Sequence, residues 1–223
     1  MSILAALLPQ DCLLCGEGNL RDLLCPACVR DLPQLPECRC PVCAETLPVP
    51  ATCGACLGYP PDFDATLSPF RYTFPVDKLI QELKFGRRLA VAGYLAGAMA
   101  DGARPEGELM IPVPLSAARL RERGFNQALE IARPLARRLG VPLLLDACIR
   151  SQDTLPQASL PWPARRRNVR HAFECSADLA GRTVIVVDDV MTSGATLNEF
   201  AGVLKAHGAA RVINWVAARA LRN

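Results

Sequence analysis

Residues 184–187 read Val-Ile-Val-Val, and the chain continues through Asp188, Asp189, Val190, Met191, Thr192, Ser193, Gly194, Ala195 and Thr196. Four consecutive apolar residues leave no polar face. Such a strand needs cover on both sides, which a parallel sheet between helices supplies. Asp188 and Asp189 are expected at or just past its carboxyl end, the side on which open α/β sheets bind ligands. Thr192–Thr196 then form a short loop ahead of a helical pattern carrying Leu197, Phe200, Ala201 and Leu204. Loop amides, a helix N-terminus and three hydroxyls together make a phosphate-sized anion site, and Gly194 permits close backbone approach. Carboxylates beside this loop would repel a phosphate unless they faced a hydroxylated or metal-bearing part of the ligand. A sugar diol with a terminal phosphate satisfies both halves. A capped strand–turn–helix junction is the bland alternative, but a cap requires neither the second acid nor three hydroxyls.

The chain contains neither a Walker loop nor a Gly-x-Gly-x-x-Gly dinucleotide turn. The pattern resembles instead the phosphoribosyl pyrophosphate loop of type I phosphoribosyltransferases. By that resemblance, Asp188 and Asp189 bond the ribose 2′ and 3′ hydroxyls while Thr192, Ser193, Gly194, Ala195 and Thr196 cradle the 5′-phosphate.

Charge and cysteine content divide the 223 residues into a small acidic appendage and a larger basic domain. Residues 1–62 hold seven acids, three Arg and nine of the eleven cysteines, for a net −4 that leaves the remainder at +7. The expected boundaries are therefore 1–62 and 63–223. Ile3–Leu8 is too short for a membrane span and lacks the basic flank of a signal peptide. It reads either as a small apolar helix docking the appendage or as a frayed terminus. These features together point to a cytoplasmic protein.

Cys12 and Cys15, Cys25 and Cys28, Cys40 and Cys43, and Cys53 and Cys56 are four CxxC pairs, with nine residues separating the two pairs of each half. Two CxxC turns supply four thiolates at tetrahedral corners, so the array has the arithmetic of two structural zinc sites. Without a secretory signal a disulfide framework is disfavoured. Sequential pairing is simplest, a cross-braced pairing remains open, and Cys38 competes with Cys40 as a ligand. Little regular secondary structure is expected over 12–56, where metal replaces a core. Cys148 and Cys175 read as isolated, buried, small apolar residues.

Beyond a Pro- and Asp-rich linker at 59–69, residues 76–86 and 89–100 read as helices, and 109–114 as a short buried strand. Lys84, Arg87 and Arg88 fit either the flank of the anion site or a solvated basic helix end. Arg119, Arg121 and Arg123 follow the strand as an alternating basic run before Gly124, and a helix resumes through Ala128, Ile131, Leu135 and Leu139. Clustered guanidinium groups suit a pyrophosphate, although a solvated face or a nucleic-acid patch is equally basic. The segment 149–173 is long for a loop and holds Arg150, Thr154, Gln157, Arg165, Arg166, Arg167, Asn168, Arg170 and His171. A basic flap over an anionic substrate explains its length and charge. A single-stranded DNA arm is the competing reading, with Trp162 as its one obvious stacking side chain.

These segments, taken in order, resemble the ComF/GntX-type competence family. The matching stretches are the CxxC pairs, PPDFD at 60–64, LIQELKFGRR at 79–88, IPVPLSAARLRERGFNQA at 111–128, Arg150 with Thr154 and Gln157, RRRNVRHAF at 165–173, and VVDDVMTSGATL at 186–197. The chain departs from the family at Ser116, where PLH is usual, at Gln152, where a basic residue often stands, and at His171, where Gly is usual. The resemblance implies an α/β fold with a type I phosphoribosyltransferase-like parallel sheet behind a double zinc ribbon. It also implies a pyrophosphate loop at Pro114, Leu115, Ser116 and Ala117, and a flexible hood over 150–172 carrying Arg150, Arg165 and Arg166. Asp188, Asp189, Arg119, Arg121 and Arg123 become the catalytic candidates, with phosphoribosyl pyrophosphate and Mg²⁺ as ligands. The expected setting is DNA uptake during natural transformation, with single-stranded DNA and the competence machinery as candidate partners. No stretch identifies the acceptor as purine, pyrimidine or amine, so beside phosphoribosyl transfer two alternatives stand: a ligand sensor without turnover and a single-stranded DNA handling factor.

Overall fold

The apolar run is the middle of a nine-residue strand, Thr183–Met191 (β6), in a computed structural model that describes residues 10–18, 21–151 and 171–221. β6 pairs in parallel with Arg211–Arg219 (β7) on one side and with Leu109–Pro112 (β3) on the other. Ala65–Leu67 (β1) and Phe70–Arg71 (β2) add to the far side of β7, both in parallel. The order is thus β1-β7-β6-β3, with β2 extending the outer edge.

Alternation along β6 splits the interior in two. Ile185 and Val187 face the helices Val76–Lys84 (α3), Ala90–Asp101 (α4) and Gln127–Leu139 (α6). Val184 and Val186 face Ala195–Ala206 (α7), where Phe200 and Leu204 are fully buried. Each such side chain contributes about 1.5–3 kcal/mol on burial. Continuous apolar sequence was therefore required on both faces.

Two boundaries differ from the sequence reading in ways that shape the site. β6 runs past its apolar centre, so Asp188 and Asp189 lie within the strand rather than beyond it. β3 stops at Pro112 instead of 114, although the Val113 amide still donates to Val187 O at 2.9 Å. Pro112 and Pro114 have no N–H to continue a ladder. β6 consequently outruns β3, and the chain after β3 turns into the short helix Ala117–Arg123 (α5), closed by Gly124 at φ +86°. The helix expected over 76–86 ends at Lys84, ahead of Arg87 in the left-handed region at φ +54°.

The cysteine segment folds as two copies of one turn. Cys12 accepts at its sulfur from the Cys25 amide at 3.4 Å, and Cys40 from the Cys53 amide at 3.3 Å. The short helices Pro26–Arg30 (α1) and Gly54–Gly58 (α2) carry the fourth thiols, Cys28 and Cys56. Cys12, Cys15, Cys25 and Cys28 have sulfurs within 4.8 Å of one another, as do Cys40, Cys43, Cys53 and Cys56. This proximity selects sequential over cross-braced pairing, and Cys38 belongs to neither group. Four thiols at that spacing fit the closed tetrahedral shell of a structural zinc.

PPDFD serves as a brace. Asp64 accepts from the Val212 amide at 2.7 Å and pairs with Lys205 at 2.9 Å, while Asp62 and Asn198 bond each other twice. Phe63 is buried among the α7-face residues.

Cys148 and Cys175 are not isolated. They oppose each other across an antiparallel ribbon of Cys148–Arg150 (β4) and Phe173–Cys175 (β5). Burial and the neighbouring Cys175 thiol push Cys148 well above its ordinary pKa, and Cys175 itself is only partly buried. Beyond this ribbon, Gln152, Thr154, Gln157, Trp162, Arg165, Arg166, Arg167, Asn168 and Arg170 lie outside the described residues, as does 3–8.

Two zinc ions per chain are expected by elemental analysis, and a Cys38→Ala variant should keep both, whereas Cys40→Ala should lose one. A metal-free protein that remained folded, or loss of zinc on changing Cys38, would contradict the sequential tetrads.

Candidate functional site

Where β6 outruns β3, a cleft of about 370 Å³ opens at the carboxyl end of the sheet. It is lined by the two acids, by the 192–197 loop, by Pro114, Leu115, Arg119, Glu122, Arg123 and Arg150, and by Tyr72, Lys84, Phe85 and Gln127. Roomier clefts run along α4 and the first ribbon, but neither gathers adjacent acids beside a glycine loop.

Asp189 is buried and held by two partners. Lys84, at the last position of α3, forms an ion pair with Asp189 Oδ2, and Gln127 Nε2 donates to Asp189 Oδ1 at 3.3 Å. The Arg123 guanidinium in turn donates to Gln127 Oε1, and it lies 5.8 Å from the centre of the exposed Phe85 ring. Among the described residues Asp188 forms no ion pair; its Oδ1 accepts from the Asp189 amide at 2.8 Å. The electrostatics separate accordingly. Desolvation and the charge of Asp189 push Asp188 well above the usual carboxylate range. Burial also works against the Asp189 charge, but Lys84 overcomes it and holds that carboxyl low. Lys84 is raised despite its own burial, chiefly by Asp189.

The loop is shaped for close approach. Gly194 sits at φ +78°, and a Cβ there would lie 2.7 Å from Met191 Cε. Ser193 Oγ accepts from the Ala195 amide at 3.3 Å, so α7 begins under the loop with its N-terminus toward the cleft. Backbone donors, the helix end and the hydroxyls of Thr192, Ser193 and Thr196 can take an anion, while Asp188 and Asp189 can accept from hydroxyls or hold a cation.

Placement of the other sequence candidates is uneven. Arg119 and Arg123 are one helical turn apart on α5 and both line the cleft. Arg121 is exposed outside it, because a helix turns residue 121 away from the face that 119 and 123 share. The sequence reading grouped all three as one basic run without assigning them a face. Ser116 lies buried at the start of α5, in a parallel bridge with Arg150, and Ala117 is exposed; neither lines the cleft. Arg150 is buried, with its guanidinium 5.3 Å from the Phe173 ring centre. Arg165 and Arg166 lie outside the described residues. Gln127 was missed altogether, and Lys84 was seen only as a flanking charge. The signal for Lys84 was its position beside the apolar stripe of Val76, Leu79, Ile80 and Leu83, since a lysine drawn into a core requires an acid. His171 adopts φ +55°, a conformation that glycine takes without strain, and its amide donates to Glu199 Oε1 at 2.6 Å.

Two family models match the chain: a double zinc ribbon domain over residues 3–57 and a phosphoribosyl transferase domain over residues 126–222. The DNA utilization protein YhgH of Salmonella typhi is 34% identical over 210 residues, covering 89% of this chain and 91% of that protein. The protein of the same name from Escherichia coli K12 gives the same identity and coverage. Competence protein F of Haemophilus influenzae is 34% identical over 225 residues, covering 94% of this chain and 96% of that protein. A solved purine phosphoribosyltransferase from Pyrococcus horikoshii Ot3 aligns over 70% of this chain and 91% of its own at 17% identity, with a TM-score of 0.32.

The two acids should respond oppositely to neutralisation. A carboxyl whose pKa is raised on folding costs stability as pH climbs from its unfolded value to its folded one. Asp188→Asn should therefore raise the melting temperature at neutral pH by a few degrees, with the gain fading toward pH 4. Asp189→Asn strands a Lys84 side chain that is 22% exposed, and should cost about 1–3 kcal/mol. Thermal melts of both variants between pH 4 and 8 test this, and shifts of the same sign would refute it.

Proposed function

Because this chain belongs to the ComF/GntX-type competence family, with a double zinc ribbon and a phosphoribosyl transferase domain, we propose that its cleft binds phosphoribosyl pyrophosphate with Mg²⁺ and transfers the phosphoribosyl group. The observation that carries this reading is the presence, in one cleft, of adjacent acids, a glycine loop at a helix N-terminus, and the side chains of Arg119, Arg123 and Arg150. Each matches a different part of one ligand. Asp188 and Asp189 take the ribose 2′ and 3′ hydroxyls. Thr192, Ser193, Gly194, Ala195 and Thr196 take the 5′-phosphate. Arg119, Arg123 and Arg150 take the pyrophosphate beside Pro114 and Leu115, with Arg165 and Arg166 assigned to it by family resemblance.

Mg²⁺, when bound, neutralises pyrophosphate charge and makes it a better leaving group. The residues of the chain do the rest. As the acceptor lone pair forms its bond to C1, the C1–O bond to pyrophosphate breaks and positive charge builds on the ribose. The acids below the sugar stabilise that charge, while the guanidinium groups hold the departing anion. Asp188 holds a cation best when ionised, and because burial and Asp189 push its pKa up, that ionisation is part of the binding equilibrium.

DNA uptake is the cellular setting we assign, supported by the names DNA utilization protein and Competence protein F among the relatives. We assign the protein to the cytoplasm, where thiols stay reduced and available to hold zinc in the two tetrads. No described helix is long and apolar enough to cross a membrane. A second reading, direct handling of single-stranded DNA by the basic residues after 62, rests on the same relatives and on the +7 charge. It predicts salt-dependent oligonucleotide affinity that weakens when Arg165, Arg166 and Arg167 become alanine.

Calorimetric titration with phosphoribosyl pyrophosphate and Mg²⁺ tests the main reading. Saturable binding is expected, weakened about 10- to 100-fold in the Asp188→Asn, Asp189→Asn double variant. Affinity should rise with pH until Asp188 is ionised, and below that point the heats in buffers of different ionisation enthalpy should reveal proton release. Folded, zinc-loaded protein that binds nothing would overturn the assignment.

A further inference from the structure

We propose that the second zinc site positions the sugar-phosphate loop through Arg219, so that metal loss at the ribbon is felt in the cleft. Arg219 is the last residue of β7, pairs in register with Met191, and is 2% exposed. A guanidinium this deep must have acceptors for its charge, and the ones it finds belong to two separate parts of the chain. Nε donates to the carbonyl of Cys43, itself a second-site thiol, at 2.8 Å, and Nη2 faces Glu45 Oε2 at 3.3 Å. Nη1 donates to Met191 O at 3.1 Å, to Thr192 O at 2.5 Å, and to the carbonyl of Ala220. One planar fork therefore joins the turn that presents Cys43 to the two carbonyls that start the loop.

The turn it grips is rigid only while its thiols are gathered. Ala44, between Cys43 and Glu45, is fully buried in the left-handed region at φ +58°, and the Cys40 amide donates to Glu45 O at 2.8 Å. Zinc on Cys40, Cys43, Cys53 and Cys56 fixes this turn, the turn fixes the acceptors of Arg219, and Arg219 fixes Met191 and Thr192. Lysine cannot substitute, because a point donor cannot span both sets of carbonyls. The first zinc site has no described bond of this kind to the loop. Arg219 is thus a positioning residue: it reaches the loop from behind, and its guanidinium bonds protein groups on every side.

The inference uses the loop assigned to the 5′-phosphate above, but its test does not require that assignment to hold. Amide hydrogen exchange at Ala195 and Asn198, whose amides bond Ser193 Oγ and Gly194 O of the loop, should accelerate at least tenfold in zinc-loaded, folded Arg219→Ala, nearly as much in Arg219→Lys, and in wild type titrated with chelator as the second zinc leaves. Arg138→Ala, which breaks only an exposed pair with Asp101, should leave that exchange unchanged. Ribose 5-phosphate is the calorimetric probe, and its affinity should fall about tenfold in both Arg219 variants with their two zincs retained. Loop exchange that is unchanged in Arg219→Lys and insensitive to chelation would overturn the coupling. Wild-type protein that fails to bind ribose 5-phosphate while its loop exchange still follows zinc would overturn the ligand assignment and leave the coupling standing.

Discussion

The buried pair of Lys84 and Asp189 is the interaction around which the cleft is arranged. A carboxylate inside a parallel sheet is tolerated only with a cation and hydrogen-bond donors to match, and here they come from two different helices. Lys84 closes α3, and Gln127 opens α6. Both helices must dock on one face of β6 before Asp189 is satisfied. The pair thereby ties the helical layer to the cleft end of the strand, and among the described residues it leaves Asp188 as the acid without an ion pair. Adjacent residues on one strand acquire different electrostatic characters because their side chains face opposite sides of the sheet.

Much of this was legible in the sequence because it depends on local chemistry. The VIVV run fixes a strand covered on both sides, and Gly194 occupies a left-handed position, φ +78°, where a Cβ would crowd Met191. The CxxC spacing fixes two four-thiol clusters, since each pair contributes a turn whose ligands lie within one metal's reach. The alternating arginines were a poorer guide. Their period had to be judged over seven residues, too few to distinguish a helix from an extended segment, and one of the three consequently points away from the cleft.

Partnerships across the chain were not legible. Nothing near Asp189 in sequence indicates Gln127 or Lys84, and nothing near Arg219 indicates Cys43 or Thr192. Cys148 and Cys175 likewise appear solitary until the ribbon sets them opposite each other. In each case the contact follows from register and layer order, which periodicity alone does not determine. Asp62 and Asp64 belong here too: the linker's composition does not show that their carboxylates accept from side-chain and backbone donors that dock it on α7 and β7.

The zinc ribbons are alike in internal geometry and unlike in surroundings, and that difference argues for distinct uses of a duplicated unit. The first repeat uses Gly16 in its left-handed turn, where it is exposed and unstrained; the second places Ala44 there, at a cost of about 1–2 kcal/mol in backbone strain. That cost is offset because Ala44 is buried and its neighbours Cys43 and Glu45 supply acceptors to Arg219. Cys12, Leu24, Cys25 and Leu32 of the first ribbon join the core shared by α3, α4 and α6, whereas Val42 and Cys43 of the second pack against the α7 side. The two metals therefore brace opposite faces of one sheet. Among the described residues only the second ribbon is bonded through a buried guanidinium to the carbonyls that start the 192–196 loop, and that contact sets the duplicated units apart.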